Sequence, residues 1–128
     1  MGKKVLVINN TAARTPGYHL LIKKGYWVDA VHSTDAGLQQ LQARAYDIII
    51  TQEGWEAESW RLCETIRRFS NVPLIVISKN ASTDTCVRAI NAGADYFLRK
   101  PFGPLELIAR IQSLLYRISI RRPTPVSS

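Results

Sequence analysis

No apolar run in the 128 residues approaches the roughly 18 needed to cross a bilayer. The start, Met1-Gly2-Lys3-Lys4 and four apolar residues, is too short for a signal peptide and lacks a cleavage site. The expected location is the cytoplasm. There are only two cysteines, Cys63 and Cys86. They lack metal-ligand spacing and fall in helical patterns, which argues against both a disulfide and a zinc centre. His19 and His32 have no ligand-spaced partners either. Internal repeats and low-complexity segments are missing, so no solenoid is expected. The 46% hydrophobic and 21% charged fractions exclude wholesale disorder, and the length suits one well-buried domain.

Acids are the other scarcity: 10 against 17 Lys and Arg, a net charge of +7. From Arg99 to Arg122 six basic residues face one acid, Glu106, so this stretch carries five of the seven net charges. Such an end can touch nucleic acid, or it can be a solvated helix face leading into a linker.

What is present alternates. Apolar runs at Val5–Ile8, Trp27–Val31, Asp47–Thr51, Leu74–Ile77 and Tyr96–Leu98 read as strands buried on both faces. Amphipathic stretches lie between them. Thr15-Pro16 caps the first helix and Gly25 closes it; Asp35 opens the second, with Leu38 and Leu41 on one face. Leu62, Ile66 and Phe69 mark a third, and Val87 and Ile90 a fourth. The last begins at Gly103-Pro104 and carries Leu107, Ile108, Ile111, Leu114, Leu115 and Ile118 as one stripe. Five strand–helix alternations with short loops predict a doubly wound parallel sheet, most economically in the order 2-1-3-4-5. Residues 1–118 form the expected domain, and 119–128, with two arginines and two prolines, an expected linker.

In such a sheet ligands gather beyond the carboxyl ends of the strands. Those positions hold Asn9-Asn10, Gln52-Glu53, Ser78-Lys79 and Lys100-Pro101. Around them, Ala92-Gly93-Ala94-Asp95-Tyr96-Phe97-Leu98-Arg99-Lys100-Pro101-Phe102 resembles the "GADDYLTKPF" segment of bacterial response-regulator receiver domains. Pro104 to Arg110 is similar to their "PxELLAR", and Tyr46-Asp47-Ile48-Ile49-Ile50-Thr51-Gln52 to their "YDLVLLD". Over residues 3 to about 118 the chain looks like a receiver of the winged-helix (OmpR/PhoB) type. The resemblance implies a flavodoxin-like (βα)5 fold, two-component signalling and a DNA-binding domain beyond the linker.

It also implies a phosphorylation pocket, and here the chain departs from the pattern. Receivers use an acidic pair after the first strand and an aspartate after the third to hold Mg²⁺ and accept a phosphoryl group. Asn9, Asn10 and Gln52 stand at those positions. Mg²⁺ takes hard oxygen donors and dehydrates reluctantly, so three neutral amides suit it poorly, and an amide oxygen is no useful nucleophile. Lys100 matches the phosphate-contacting lysine, Ser78 the switch hydroxyl and Phe97 the switch aromatic; Lys79 replaces a small residue. The expectation is a degenerate pocket with no metal, no cofactor, no enzymatic activity and no upstream kinase that phosphorylates it. Lys100 is expected to bond the amide oxygen of Gln52 or Asn10, with Lys79 projecting outward. If both lysines face inward, a small-anion or metabolite sensor is the alternative.

By the same resemblance Arg88, Asp95, Glu106 and Arg110 match a charged dimer face, with Cys86 and Tyr96 as departures. Ile90, Leu107 and Tyr96 are expected to add apolar contact to a homodimer that forms without phosphate. Trp55 and Trp60 follow the third strand and read as core, or, for Trp55, as a lid over the pocket.

Overall fold

The computed structural model describes residues 2–11, 14, 17–53, 59–79, 82–100 and 102–121. Five strands, β1 (Lys4–Asn9), β2 (Trp27–Val31), β3 (Ile48–Glu53), β4 (Leu74–Ser78) and β5 (Tyr96–Arg99), alternate with helices. The helices are α1 (Tyr18–Lys23), α2 (Thr34–Ala43), α3 (Ser59–Arg67), α4 (Thr83–Asn91) and α5 (Pro104–Arg121). Every strand pair is parallel and the order is β2-β1-β3-β4-β5, as the alternation predicts.

The side chains of β1, β3 and β4 are almost wholly buried because helices cover both faces. Val5, Val7, Ile48, Ile50, Ile75 and Ile77 pack with Leu21 of α1 and Leu107, Ile108, Ile111 and Leu114 of α5. Leu6, Ile8, Ile49, Leu74 and Val76 pack with Leu62, Cys63 and Ile66 of α3 and Ala89 of α4. Gly37 of α2 lies so close to β1 that a Cβ there would meet Ile8 Cδ1 at 2.4 Å. Cys63 and Cys86 are both free.

Several sequence expectations need correction. β3 runs on through Gln52 and Glu53, so these residues sit in the sheet rather than beyond it. β2 is an edge strand, and Trp27 is 59% exposed. The cap of α2 is Ser33, whose hydroxyl accepts from Ala36 N, two residues ahead of the expected Asp35 start. Helix α4 turns Thr85 and Ala89 inward, four residues apart, and leaves Val87 and Ile90 outside. Phe69 falls past the end of α3 and is half exposed. The first helix starts at Tyr18 behind Gly17, which has φ 76; Thr15 and Pro16 lie outside the described residues. Helix α5 continues to Arg121, into the stretch read as linker.

One residue with no prominence in the sequence organises the amino ends of β4 and β5. Arg67 Nε and Nη2 donate to Gly93 O at 3.0 and 2.7 Å, and Nη1 to Ser70 O and Val72 O at 3.2 and 2.5 Å. Nη2 also reaches Asp95 Oδ2 at 3.0 Å, which in turn accepts from Leu74 N. Gly93 makes room for this: its φ is 119, and a Cβ would meet Arg67 Cγ at 2.7 Å. Replacing Arg67 with Ala strips three carbonyls and a carboxylate of their donor. The expected loss is about 2–3 kcal/mol of unfolding free energy, read from urea midpoints at constant slope. Gly93→Ala is expected to destabilise as well, through strain at the same place.

Candidate functional site

The register of a parallel sheet decides which side chains meet at its carboxyl edge. Asn9 pairs with Gln52 across β1–β3, and Glu53 with Ser78 across β3–β4. Alternation then sends Asn9 and Gln52 toward the α1–α5 face, and Glu53 and Ser78 toward the α2–α3–α4 face. The crevice therefore has two halves.

In the first half neutral amides are tied to the loop after β1. Asn9 Oδ1 accepts from Thr11 N at 2.9 Å and Thr11 Oγ1 at 2.7 Å, a local turn of the kind Asn favours. Gln52 Nε2 donates to Thr11 Oγ1 at 3.2 Å and to Arg14 O at 3.4 Å, and Asn10 N donates to Gln52 O at 3.0 Å. Gln52 is fully buried, and its Oε1 has no hydrogen-bond partner among the described residues. An aspartate at this position has no N–H and cannot make the first two bonds.

The second half holds Glu53, a carboxyl only 5% exposed. Asn10 Nδ2 donates to Glu53 Oε2 at 2.9 Å and to Thr34 Oγ1 at 3.3 Å, joining the strand end to α2. Burial raises the Glu53 pKa above its usual value, and the Asn10 hydrogen bond partly offsets this. Burial also pushes the Cys63 thiol of α3 up to about 12, with a smaller contribution from Glu53, so this cysteine is no reactive thiolate. Thr51 Oγ1 is buried here without a partner among the described residues.

Ser78 is buried at the end of β4, and its carbonyl accepts from Lys100 N at 3.0 Å. Lys79 is exposed and Lys100 half-buried. Desolvation lowers the Lys100 pKa, and the nearby Lys79 charge lowers it further. Among the described residues the expected bond from Lys100 to the amide oxygen of Gln52 or Asn10 is not formed, and Gln52 Oε1 stays without a donor. Nor do both lysines face inward: with Lys79 in solvent, the inward cation pair required by the anion-sensor alternative is missing.

Magnesium does not fit this donor set. Asn9 Oδ1 already accepts two hydrogen bonds, the Asn10 amide is turned to Glu53 and Thr34, and Gln52 offers a single neutral oxygen. Among the described residues Glu53 is the one carboxylate at the strand ends, and it belongs to the other half.

Elsewhere, Phe97 is half-buried and packs against the cluster under α3 and α4. On the expected dimer face Arg88 pairs with Asp84 at 3.1 Å and lies 4.9 Å from the Trp60 ring centroid. Asp95 is held by Arg67 and Leu74 N, while Arg110 covers the Tyr96 ring at 4.4 Å. Glu106 is exposed; Leu107 is fully buried and contributes to the core rather than to a contact face. Trp55 lies outside the described residues. Sequence reasoning found the crevice residues but missed the Asn10–Glu53 pair, because Asn10 reads there as a neutralised metal ligand.

A carboxyl whose pKa is raised on folding binds its proton more tightly in the folded state. Its stabilising effect is present below the unfolded value near 4.5 and is lost as pH rises through the folded one. Glu53→Gln fixes the neutral form and keeps an oxygen for Asn10. It is expected to be more stable than the parent at pH 7, with the difference vanishing near pH 4, as measured by urea unfolding at both values.

The response regulator receiver domain model matches residues 5–112. The transcriptional activator protein IrlR of Burkholderia pseudomallei is 30% identical over 105 residues, covering 81% of this chain and 46% of that protein. The chain thus spans about half the length of the curated relatives it matches. Among solved structures, NtrX from Brucella abortus superposes with a TM-score of 0.82 at 23% identity, over 95% of this chain and 28% of that one. A structure described as an atypical orphan response regulator with a phosphorylation-independent regulatory mechanism gives 0.77 at 24% identity, covering 88% and 95%. At these identities the two structures share the fold. The family match over most of the chain, with the sheet order and strand-end residues above, places the chain in the response regulator receiver domain family.

Proposed function

We propose that this receiver works without a phosphoryl group, regulating transcription through protein contact and a DNA-binding domain of the winged-helix (OmpR/PhoB) type joined beyond α5. The observation that carries the reading is the Gln52 carboxamide. It stands at the acceptor position and spends its two N–H groups on Thr11 and Arg14. The loop that in receivers helps to bind the metal is here fastened to the strand by hydrogen bonds alone. The names of relatives such as IrlR support the transcriptional part, and the atypical orphan regulator supplies a precedent on the same fold. On this reading no catalysis is required of the domain, and its place is the cytoplasm; among the described residues no helix is long and apolar enough to cross a membrane.

Contact with a second copy through α4, β5 and α5 completes the proposal. Val87, Ile90 and Leu105 are exposed there at 49%, 42% and 70%. Three of the four charged members, Arg88, Asp95 and Arg110, are engaged within the protomer, so apolar contact carries most of the interface, and each contact is used twice across a two-fold axis.

Incubation with acetyl phosphate and Mg²⁺ is expected to leave the intact mass unchanged; a stoichiometric gain of one phosphoryl group sinks the proposal. Gln52→Asp alone is expected to stay inert, since Asn9 and Asn10 remain neutral, whereas Asn9→Asp, Asn10→Asp and Gln52→Asp together are the minimum for a gain. Sedimentation equilibrium is expected to show a concentration-dependent dimer without any phosphate analogue, weakened by Ile90→Asp and Arg110→Glu. A monomer at high micromolar concentration contradicts the dimer.

A further inference from the structure

The net charge of the chain is not spread evenly. Helices run antiparallel to the strands they follow, so the amino edge of the sheet collects the first residues of β1 and β2 and the last turns of α1 and α5. Lys3 and Lys4 open β1, and Lys23-Lys24 close α1. Trp27 N donates to Lys3 O at 2.9 Å, and Lys4 is the register partner of Trp27. The Tyr26 hydroxyl lies close to Gln112 of α5. Arg117, five residues and about 7.5 Å further along α5, is nearer the amino edge than Gln112. A recess of about 330 Å³ opens here between Gly2, Lys3, Lys24, Gly25 and Tyr26.

The side chains of Lys3, Lys4, Lys23, Lys24 and Arg117 are all exposed, and none has an ion-pair partner among the described residues. The acids at this edge are occupied. Asp47 accepts from Lys4 N at 2.7 Å, Asp29 from Tyr46 Oη at 2.6 Å and Trp27 Nε1 at 3.3 Å, and Asp95 from Arg67 and Leu74 N. Most of these bonds come from neutral donors and leave the carboxylate charge in place. Lys3 and Lys24 nonetheless line the concave recess without an ion-pair partner among the described residues, and Trp27, next in sequence to its lining, is exposed. The crevice of Asn9, Gln52 and Glu53 is at the opposite edge of the sheet.

From this charge complementarity we propose that the amino edge is a second, phosphorylation-independent site that binds the phosphate backbone of duplex DNA without reading sequence. Duplex DNA offers one negative charge per about 1.7 Å of axis, a continuous line suited to cations spread over a strand edge and two helix ends. An anionic membrane also attracts clustered lysines, but among the described residues this edge presents no amphipathic helix lying flat to add apolar insertion. Binding here comes from the receiver itself and does not require an attached DNA-binding domain.

Fluorescence anisotropy of a labelled 20-base-pair duplex with the 128-residue chain tests this directly. With four phosphates neutralised, log K is expected to fall against log salt with a slope of about −3.6, roughly a hundredfold between 50 and 200 mM. Lys3→Glu with Lys24→Glu is expected to flatten the slope by about two. Lys24→Glu alone is expected to weaken binding several-fold, while Arg99→Glu, the same charge change at the exposed end of β5, leaves it near the parent value. All of these are exposed positions, and far-UV circular dichroism confirms that the variants fold. Absence of salt-dependent binding overturns the proposal. So does an equal loss in Lys24→Glu and Arg99→Glu, which means net charge alone. Binding to phosphatidylserine–phosphatidylcholine vesicles but not to the duplex overturns it as well, and assigns the edge to membranes.

Discussion

The hydrogen bonds of the Gln52 carboxamide fix the character of the domain's functional edge. A sheet covered on both faces leaves its polar side chains only the strand ends, and the β1–β3 register puts Asn9 beside Gln52 there. With two N–H groups on Gln52, the loop after β1 is fastened to β3 through Thr11 and Arg14. Three carboxylates at the same positions repel one another and depend on a cation for cohesion. Amides need none. On the proposed reading, the amides that suit a metal poorly also supply internal bonds in its place.

The second half of the crevice follows from this arrangement. Once Asn10 is not a metal ligand its amide is available to Glu53, which is buried and needs a donor. The same amide reaches Thr34 and so links β1, β3 and the start of α2. Lys100, whose backbone is anchored to Ser78, is left as a partly desolvated ammonium beside Lys79. The crevice is thus cohesive on the amide and Glu53 sides and electrostatically uncomfortable on the lysine side.

Most of the fold was legible in the sequence. Continuous β-branched runs identify strands buried on both faces, and the strand order follows from right-handed crossovers. Legibility stopped where hydrophobicity and burial part company. In α4 the inward residues are Thr85 and Ala89, small enough for close packing, so the apolar pattern of Val87 and Ile90 points the wrong way. Trp27 looks like a core residue but stands on an edge strand. Arg67 gives no sign in the sequence of the carbonyls it gathers, because its partners depend on where the turn at Gly93 comes to lie. At the site, residue identities and positions came from the motif, but bonding did not. Whether an amide donates or accepts depends on neighbours such as Thr11 and Glu53, which only the folded chain brings within reach.

The central claim is that hydrogen bonds have taken over the role of a metal at the carboxyl edge. Amide NMR of the ¹⁵N-labelled chain during a Mg²⁺ titration tests it most directly. The expected result is no saturable shift at Asn9, Asn10, Gln52 or Ser78 through the millimolar range, with or without beryllofluoride. A saturable shift confined to those residues contradicts the account, since it requires the amides to leave Thr11 and Arg14 for a metal.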